Sequence, residues 1–291
     1  MRFTEIGQQL RAYRLESGMR AEEIATRLGV SRAALYRYEK GEVIKLDTIQ
    51  RLAELLKISP LSLLGIGVEY YSRPIGYFER LRQIEETADQ ILIMEGSLFY
   101  LTTTAAYDAA LSDAFHEAAT EAGSEREAAI GVAEQVLGIL AARKRMYGMR
   151  RPGVICMISP QQLRQFLIQG VGGAATLSDP LRQQNRQAAA EQVAHIAALM
   201  EAEPMGLQFG VLSDQEPTSN FVILRSRDRA NVAINPFLPD SPASQFGGVA
   251  MLTAADEAIA AHQRVAEAQW RDALKGAAGA ARLREIVSAA A

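Results

Sequence analysis

The chain of 291 residues has one cysteine, three histidines, no complete catalytic motif and no apolar run of membrane-spanning length. A lone Cys156 cannot close an internal disulfide. Its setting in Val154-Ile155-Cys156-Met157-Ile158 reads as a core thiol, because a reactive thiolate needs exposure and a nearby cation. The apolar stretches over 91–101 and 131–142 are broken by Glu or Gln well short of the roughly 20 residues a spanning helix needs. Met1-Arg2-Phe3-Thr4 leads straight into a helical pattern, so the expectation is a soluble, cytoplasmic protein without membrane association. No Gly-x-Ser-x-Gly elbow occurs, and Gly170, Gly172 and Gly173 follow a helix with no Gly-Lys-Ser/Thr after them, which argues against a phosphate loop. His116-Glu117 opens like a zinc-binding helix, but Thr120 stands where the second histidine is needed. Each histidine reads as a helix-surface residue, and no enzymatic activity, cofactor or metal is expected.

What is present is concentrated near the N-terminus. In Gly29-Val30-Ser31-Arg32-Ala33-Ala34-Leu35-Tyr36-Arg37-Tyr38-Glu39-Lys40-Gly41, Gly29 can take the positive φ of a tight turn, and Ser31 offers a hydroxyl to cap the helix that follows. Leu35 and Tyr38 share one face of that helix. Arg32, Ala33, Tyr36, Arg37 and Lys40 fall on other faces and stay available to a partner. Upstream, Glu22 to Leu28 forms a first helix with Ile24 and Leu28 facing inward and acids in its first turn. Together they make a helix-turn-helix. Further helices are expected from about Thr4 to Ser17 on Ile6, Leu10 and Tyr13, from a cap at Asp47 on Ile49, Leu52, Ala53, Leu55 and Leu56, and from Ser59-Pro60.

Ile24-Ala25, Leu28-Gly29-Val30-Ser31, Tyr38-Glu39-Lys40-Gly41 and Leu52-Ala53-Glu54-Leu55-Leu56-Lys57-Ile58-Ser59 together resemble the XRE family of lambda repressor-like DNA-binding domains, over residues 1 to about 66. The resemblance implies a helix from Ser31 to Lys40 in the major groove, with Arg32, Ala33, Tyr36 and Arg37 nearest base edges and Lys40 near phosphate. Family members usually begin the first motif helix with Ser or Thr then Gln; here Arg20 and Ala21 stand there, and Arg20 is the candidate phosphate contact in place of the glutamine. Charge supports this polarity. Residues 1–60 carry 11 Lys and Arg against 8 acids, about +3, in a chain of net charge −3, so the remaining 231 residues hold about −6.

The body, 48% hydrophobicity overall permitting a sizeable core, reads as alternating helices and strands. The expected order is a helix from Ile75, a strand over 90–94, two long helices over 104–147 and a strand over 154–158. Then come a helix from Ser159-Pro160, another from Asp179-Pro180, a strand over 206–212, a loop over 213–219 and a hairpin over 220–236. A capping box at Thr253 opens a last helix to about Lys275. The fold class is thus an all-α five-helix lambda repressor-like DNA-binding domain followed by a mixed α/β regulatory domain. Its divisions are 1–66 (DNA-binding), 67–76 (a packed connector), 77–276 (regulation and dimerisation) and 277–291 (an alanine-rich tail). The order of elements in the body resembles degenerate phospholipase D-like domains fused to bacterial regulators, and the effector domains of one-component regulators, which implies regulation without catalysis. An active domain of the first kind needs a histidine two residues before a lysine, and none of His116, His195 and His262 has one. The basic run Arg143, Lys144, Arg145, Arg150, Arg151 reads as a solvated helix end or an anion site. The expected function is a one-component transcriptional regulator, a repressor, acting as a homodimer on a pseudo-palindromic double-stranded DNA operator and sensing a small-molecule effector. The alternatives are a DNA-targeted or autoregulating enzyme and an antitoxin-like protein binder.

Overall fold

Gly29 sits at φ 71° and closes the first helix of the motif, so the chain can reverse within three residues. Five helices surround that turn: α1 (Phe3–Ser17), α2 (Ala21–Leu28), α3 (Arg32–Glu39), α4 (Leu46–Leu56) and α5 (Pro60–Leu63). Leu10, Ile24, Leu35, Leu52 and Leu63 are fully buried at their centre, with Ile6, Tyr13, Leu28 and Ile49 around them. Ser59 caps α5 by accepting from the Leu61 amide at 3.2 Å. Asp47 is not the cap expected of it: Lys45 holds that position, and Asp47 lies in the first turn, where it complements the helix dipole. The computed structural model describes residues 3–94, 98–173, 177–213, 220–237 and 247–290. The loop expected over 213–219 lies outside them from residue 214 onward.

The body is one eight-stranded mixed sheet with helices on both faces. In chain order its elements are β1 (Val68–Tyr71), α6 (Pro74–Glu85), β2 (Gln90–Met94), α7 (Ala105–Thr120), α8 (Arg126–Arg150), β3 (Gly153–Ile158), α9 (Pro160–Gln169) and α10 (Asp179–Ala202). There follow β4 (Leu207–Val211), β5 (Phe221–Arg225), β6 (Ala230–Ile234), β7 (Ala250–Thr253), α11 (Asp256–Asp272), β8 (Leu274–Lys275) and α12 (Gly276–Ala290). The strand order is β1-β7-β6-β5-β2-β3-β4-β8. β2, β3 and β4 run parallel, each joined to the next through helices, and the outer pairs are antiparallel. Alternation along the strands sends Ile91, Ile93, Val154, Cys156, Val222 and Leu224 to the face covered by most helices. Met94, Met157, Phe221, Ile223 and Val232 go to the other, under Ala266 and Trp270 of α11.

Three segments differ from the sequence expectation. The stretch read as connector supplies β1, which pairs antiparallel with β7 from Val68 opposite Thr253 to Tyr71 opposite Ala250. Thr253 accordingly ends a strand. Its hydroxyl accepts from the Ala255 amide at 3.2 Å, but α11 begins beyond, at Asp256, without a side-chain cap. The alanine-rich tail is α12, whose Ala280, Leu283 and Ile286 are buried in the main core. Small residues permit this: at Gly279 a Cβ would lie 2.7 Å from the Leu274 carbonyl oxygen and against Met200.

The helical head is bolted to this sheet through α1. Glu16 accepts from the Ser72 amide at 2.6 Å and its hydroxyl at 2.7 Å, and from the Arg73 amide at 3.1 Å, at the start of α6. Gly76 lets α1 come this close, since a Cβ there would meet Glu16. Beneath lies a buried network. Arg80 of α6 grips Glu69 of β1 with two bonds, at 2.8 and 3.1 Å, while Gln9 of α1 donates to Glu69 at 2.6 Å and the Tyr71 hydroxyl donates to it at 2.8 Å. Tyr13 stacks on Tyr71 with centroids 5.2 Å apart. Burial alone would raise the Glu69 carboxyl, but the Arg80 charge and the three donors outweigh it and hold the group below its ordinary range. The pair thus contributes stability above the ordinary carboxylate range and loses it as pH falls through the depressed value. Arg80→Met strands the buried carboxylate and should lower unfolding free energy by about 3–5 kcal/mol. Urea denaturation at neutral pH measures this, and the deficit should shrink on acidification, as the orphaned Glu69 protonates.

Candidate nucleic-acid interface

The motif's turn is held by the bonds of a helix C-terminus: Gly29 N–H donates to Thr26 O at 3.1 Å and Val30 N–H to Ala25 O at 3.0 Å. Ser31 then caps α3, its hydroxyl accepting from the Ala34 amide at 3.1 Å. The inward face of α3 buries Ala34, Leu35 and Glu39. Glu39 is held by Arg14 of α1 through bonds of 2.5 and 3.1 Å, and Gly7 brings α1 into backbone contact with the carbonyls of Tyr38 and Glu39. Arg51 of α4 donates to Leu28 O at 2.9 Å, closing the end of α2. These contacts fix the axis of α3 relative to its neighbours. Position is set from behind, leaving the front open.

On that front, Ser31, Arg32, Ala33, Arg37 and Lys40 are exposed and Tyr36 is half-buried; Arg20, the cap residue of α2, is exposed beside them. Arg32 pairs with Glu22 at 2.7 Å, lies 5.4 Å over the Tyr36 ring and points its remaining donors at the Tyr36 hydroxyl at 3.3 and 3.4 Å. Arg37 pairs with Glu42 at 2.7 Å. The two arginine side chains remain 57% and 61% exposed, and exposed pairs of this kind are worth about 0–1 kcal/mol, so either can exchange its carboxylate for phosphate or a base edge. Among the described residues, none of the seven side chains bonds to or pairs with any residue beyond Glu42. The described residues of the body do not cover this face. The sequence reading named the presenting residues and missed the ones that hold them: Arg14, Glu39 and Arg51 bond across helices, at separations that periodicity does not report.

Residues 5–63 match the family model of a helix-turn-helix domain. A comparison with curated proteins finds no match. The helix-turn-helix domain supports a DNA-binding regulator, of the XRE and lambda repressor kind over its own span; the likeness of the body to phospholipase D-like domains has no support. In the usual docking of a helix-turn-helix, the second helix of the motif, α3 in this chain, is the one presented to the major groove.

Elsewhere, several other chemistry-bearing residues are engaged in the fold. His116 Nδ1 lies 2.7 Å from Ser112 O, His262 Nδ1 lies 2.7 Å from Ala258 O with its ring 4.7 Å from that of Phe221, and Cys156 is buried. The basic run disperses: Arg143 is buried against Glu85 with bonds of 2.8 and 2.9 Å, Lys144 bonds Asp108 at 2.6 Å, and Arg145 alone of these three faces solvent. Among the described residues no cluster of His, Cys, Asp and Glu fits a metal, and no helix is long and apolar enough to cross a membrane. Because Glu42 holds Arg37 and adds a negative charge to the presenting face, Glu42→Gln should tighten binding to duplex DNA by roughly threefold to tenfold at low salt. The gain should fade as salt rises in a fluorescence-anisotropy titration.

Proposed function

We propose that the protein is a one-component transcriptional regulator that binds a double-stranded, pseudo-palindromic operator as a homodimer, represses by occupying it, and responds to a small-molecule effector held by the body. It acts in the cytoplasm and without catalysis. The observation that carries this reading is the uncovered face of α3, where Arg32, Tyr36 and Arg37 stand together on a helix braced by α1 and α2. Two such helices in successive major grooves would read half-sites about 34 Å apart. Repression needs nothing beyond occupancy, since a bound dimer excludes other proteins from the same stretch of duplex.

Effector sensing is supported by a cavity of about 720 Å³ between head and body. Glu5 and Gln8 of α1 form one wall, Arg80 and Gln83 of α6 another, and Arg229 and Asn231 around the β5–β6 turn a third. A small polar molecule there touches both the domain that binds DNA and the sheet that carries it. It would change DNA affinity only by preferring one arrangement of the two.

Gel-shift titration against operator and random duplex tests the DNA-binding reading. Arg37→Ala should remove discrimination between the two, costing about 1–3 kcal/mol on operator alone. Lys40→Ala should weaken binding to both and lower the salt slope by about one unit. Parental binding by both variants would overturn the groove assignment. For the effector, a metabolite panel should contain a compound that raises the melting temperature, and Asn231→Leu should abolish that shift.

A further inference from the structure

The homodimer proposed above needs an interface, and helix α8 carries a face suited to one. Ala133, Val136, Leu140 and Arg143 of α8 are buried in the protein. On the opposite side lie Gly131, Glu134, Gly138, Ala141, Arg145 and Gly148, at intervals of three and four residues that keep one stripe in register along a paired helix. Glu134 and Arg145 are exposed, and neither has a partner among the described residues. The face is polarised, with Glu127 and Glu134 in its N-terminal half and Arg145 in its C-terminal half. Arg145 is also a member of the basic run without a side-chain partner among the described residues.

This arrangement is self-complementary. Two copies of α8 laid antiparallel, with a two-fold axis passing between Ile139 and Leu140, set Glu134 against the second copy's Arg145 twice, Gly131 against Gly148 twice, and Gly138 against Ala141 twice. A two-fold pairing with the same chain meets all three matches at once, as an isologous contact requires. The glycines agree with it. Glycine is the poorest helix former apart from proline, yet a Cβ at Gly131, Gly138 or Gly148 would touch nothing within 4 Å in this chain. No neighbour among the described residues accounts for them, whereas a second backbone approaching closely would. The paired stretch from 131 to 148 is about 26 Å long at the rise of an α-helix.

We propose that the outward face of α8 is the dimer interface of this protein, two copies pairing antiparallel through reciprocal Glu134–Arg145 ion pairs across a seam of small residues. This rests on the homodimer reading, and the test separates the two. Sedimentation equilibrium of the full chain should give a dimer. Glu134→Arg and Arg145→Glu should each weaken it roughly tenfold or more by placing like charges opposite one another, and the double variant Glu134→Arg/Arg145→Glu should recover parental affinity. Thermal melts by circular dichroism should show all three variants folded, since both side chains are exposed and unpaired in the single chain. A parental dimer indifferent to either reversal would overturn the α8 interface and leave the homodimer standing. Loss in both single variants without recovery in the double would overturn the antiparallel pairing. A parental monomer would overturn both readings.

Discussion

The Glu69–Arg80 pair and the donors around it are the contact on which the arrangement of this protein depends. Glu69 belongs to an edge strand of the sheet, Arg80 to the helix beneath it and Gln9 to the first helix of the head, so one buried carboxylate is shared by three elements from two parts of the chain. A buried ion pair is a weak source of net stability, because desolvation consumes most of the attraction, but it is exacting about geometry. Its role here is orientation. With Glu16 seated at the start of α6, it makes the head an extension of the sheet instead of a module on a tether.

The cavity at the junction lies against this network. A ligand between α1, α6 and the β5–β6 turn contacts groups next to the Glu69–Arg80 network, including Arg80 itself. That network bonds Gln9 of α1, and α1 holds α3 through Arg14, Glu39 and the Gly7 contact. Among the described residues, packed and bonded side chains run without a break from the cavity wall through α1 to α3.

Much of this was legible in advance, for reasons that are local. Caps at Ser31 and Ser59, the turn at Gly29 and the central strands at 90–94 and 154–158 all declare themselves within a few residues, through side-chain chemistry or an unbroken apolar run. The edge elements did not. Val68–Tyr71 sits between glycines and a proline and became a strand only because Ala250–Thr253 comes to lie beside it. Residues 276–290 look like a low-complexity end, but α10 and α9 offer a surface that alanines and Gly279 can approach closely. For the interface, charge and spacing named the presenting face of α3, while the braces behind it join residues too far apart in sequence to be paired by inspection.

By itself the sequence determined the helix-turn-helix, the polarity of charge between head and body, and the helices and inner strands of an α/β layer, since each is set by interactions among near neighbours. The tertiary structure alone decided that head and body share one buried network, that the basic run is mostly spent on internal pairs, and that α8 keeps a charged face open to solvent. Those outcomes hang on which distant side chains meet in a low-dielectric interior, where a carboxylate must find a partner, and no pattern along the chain states who that partner will be.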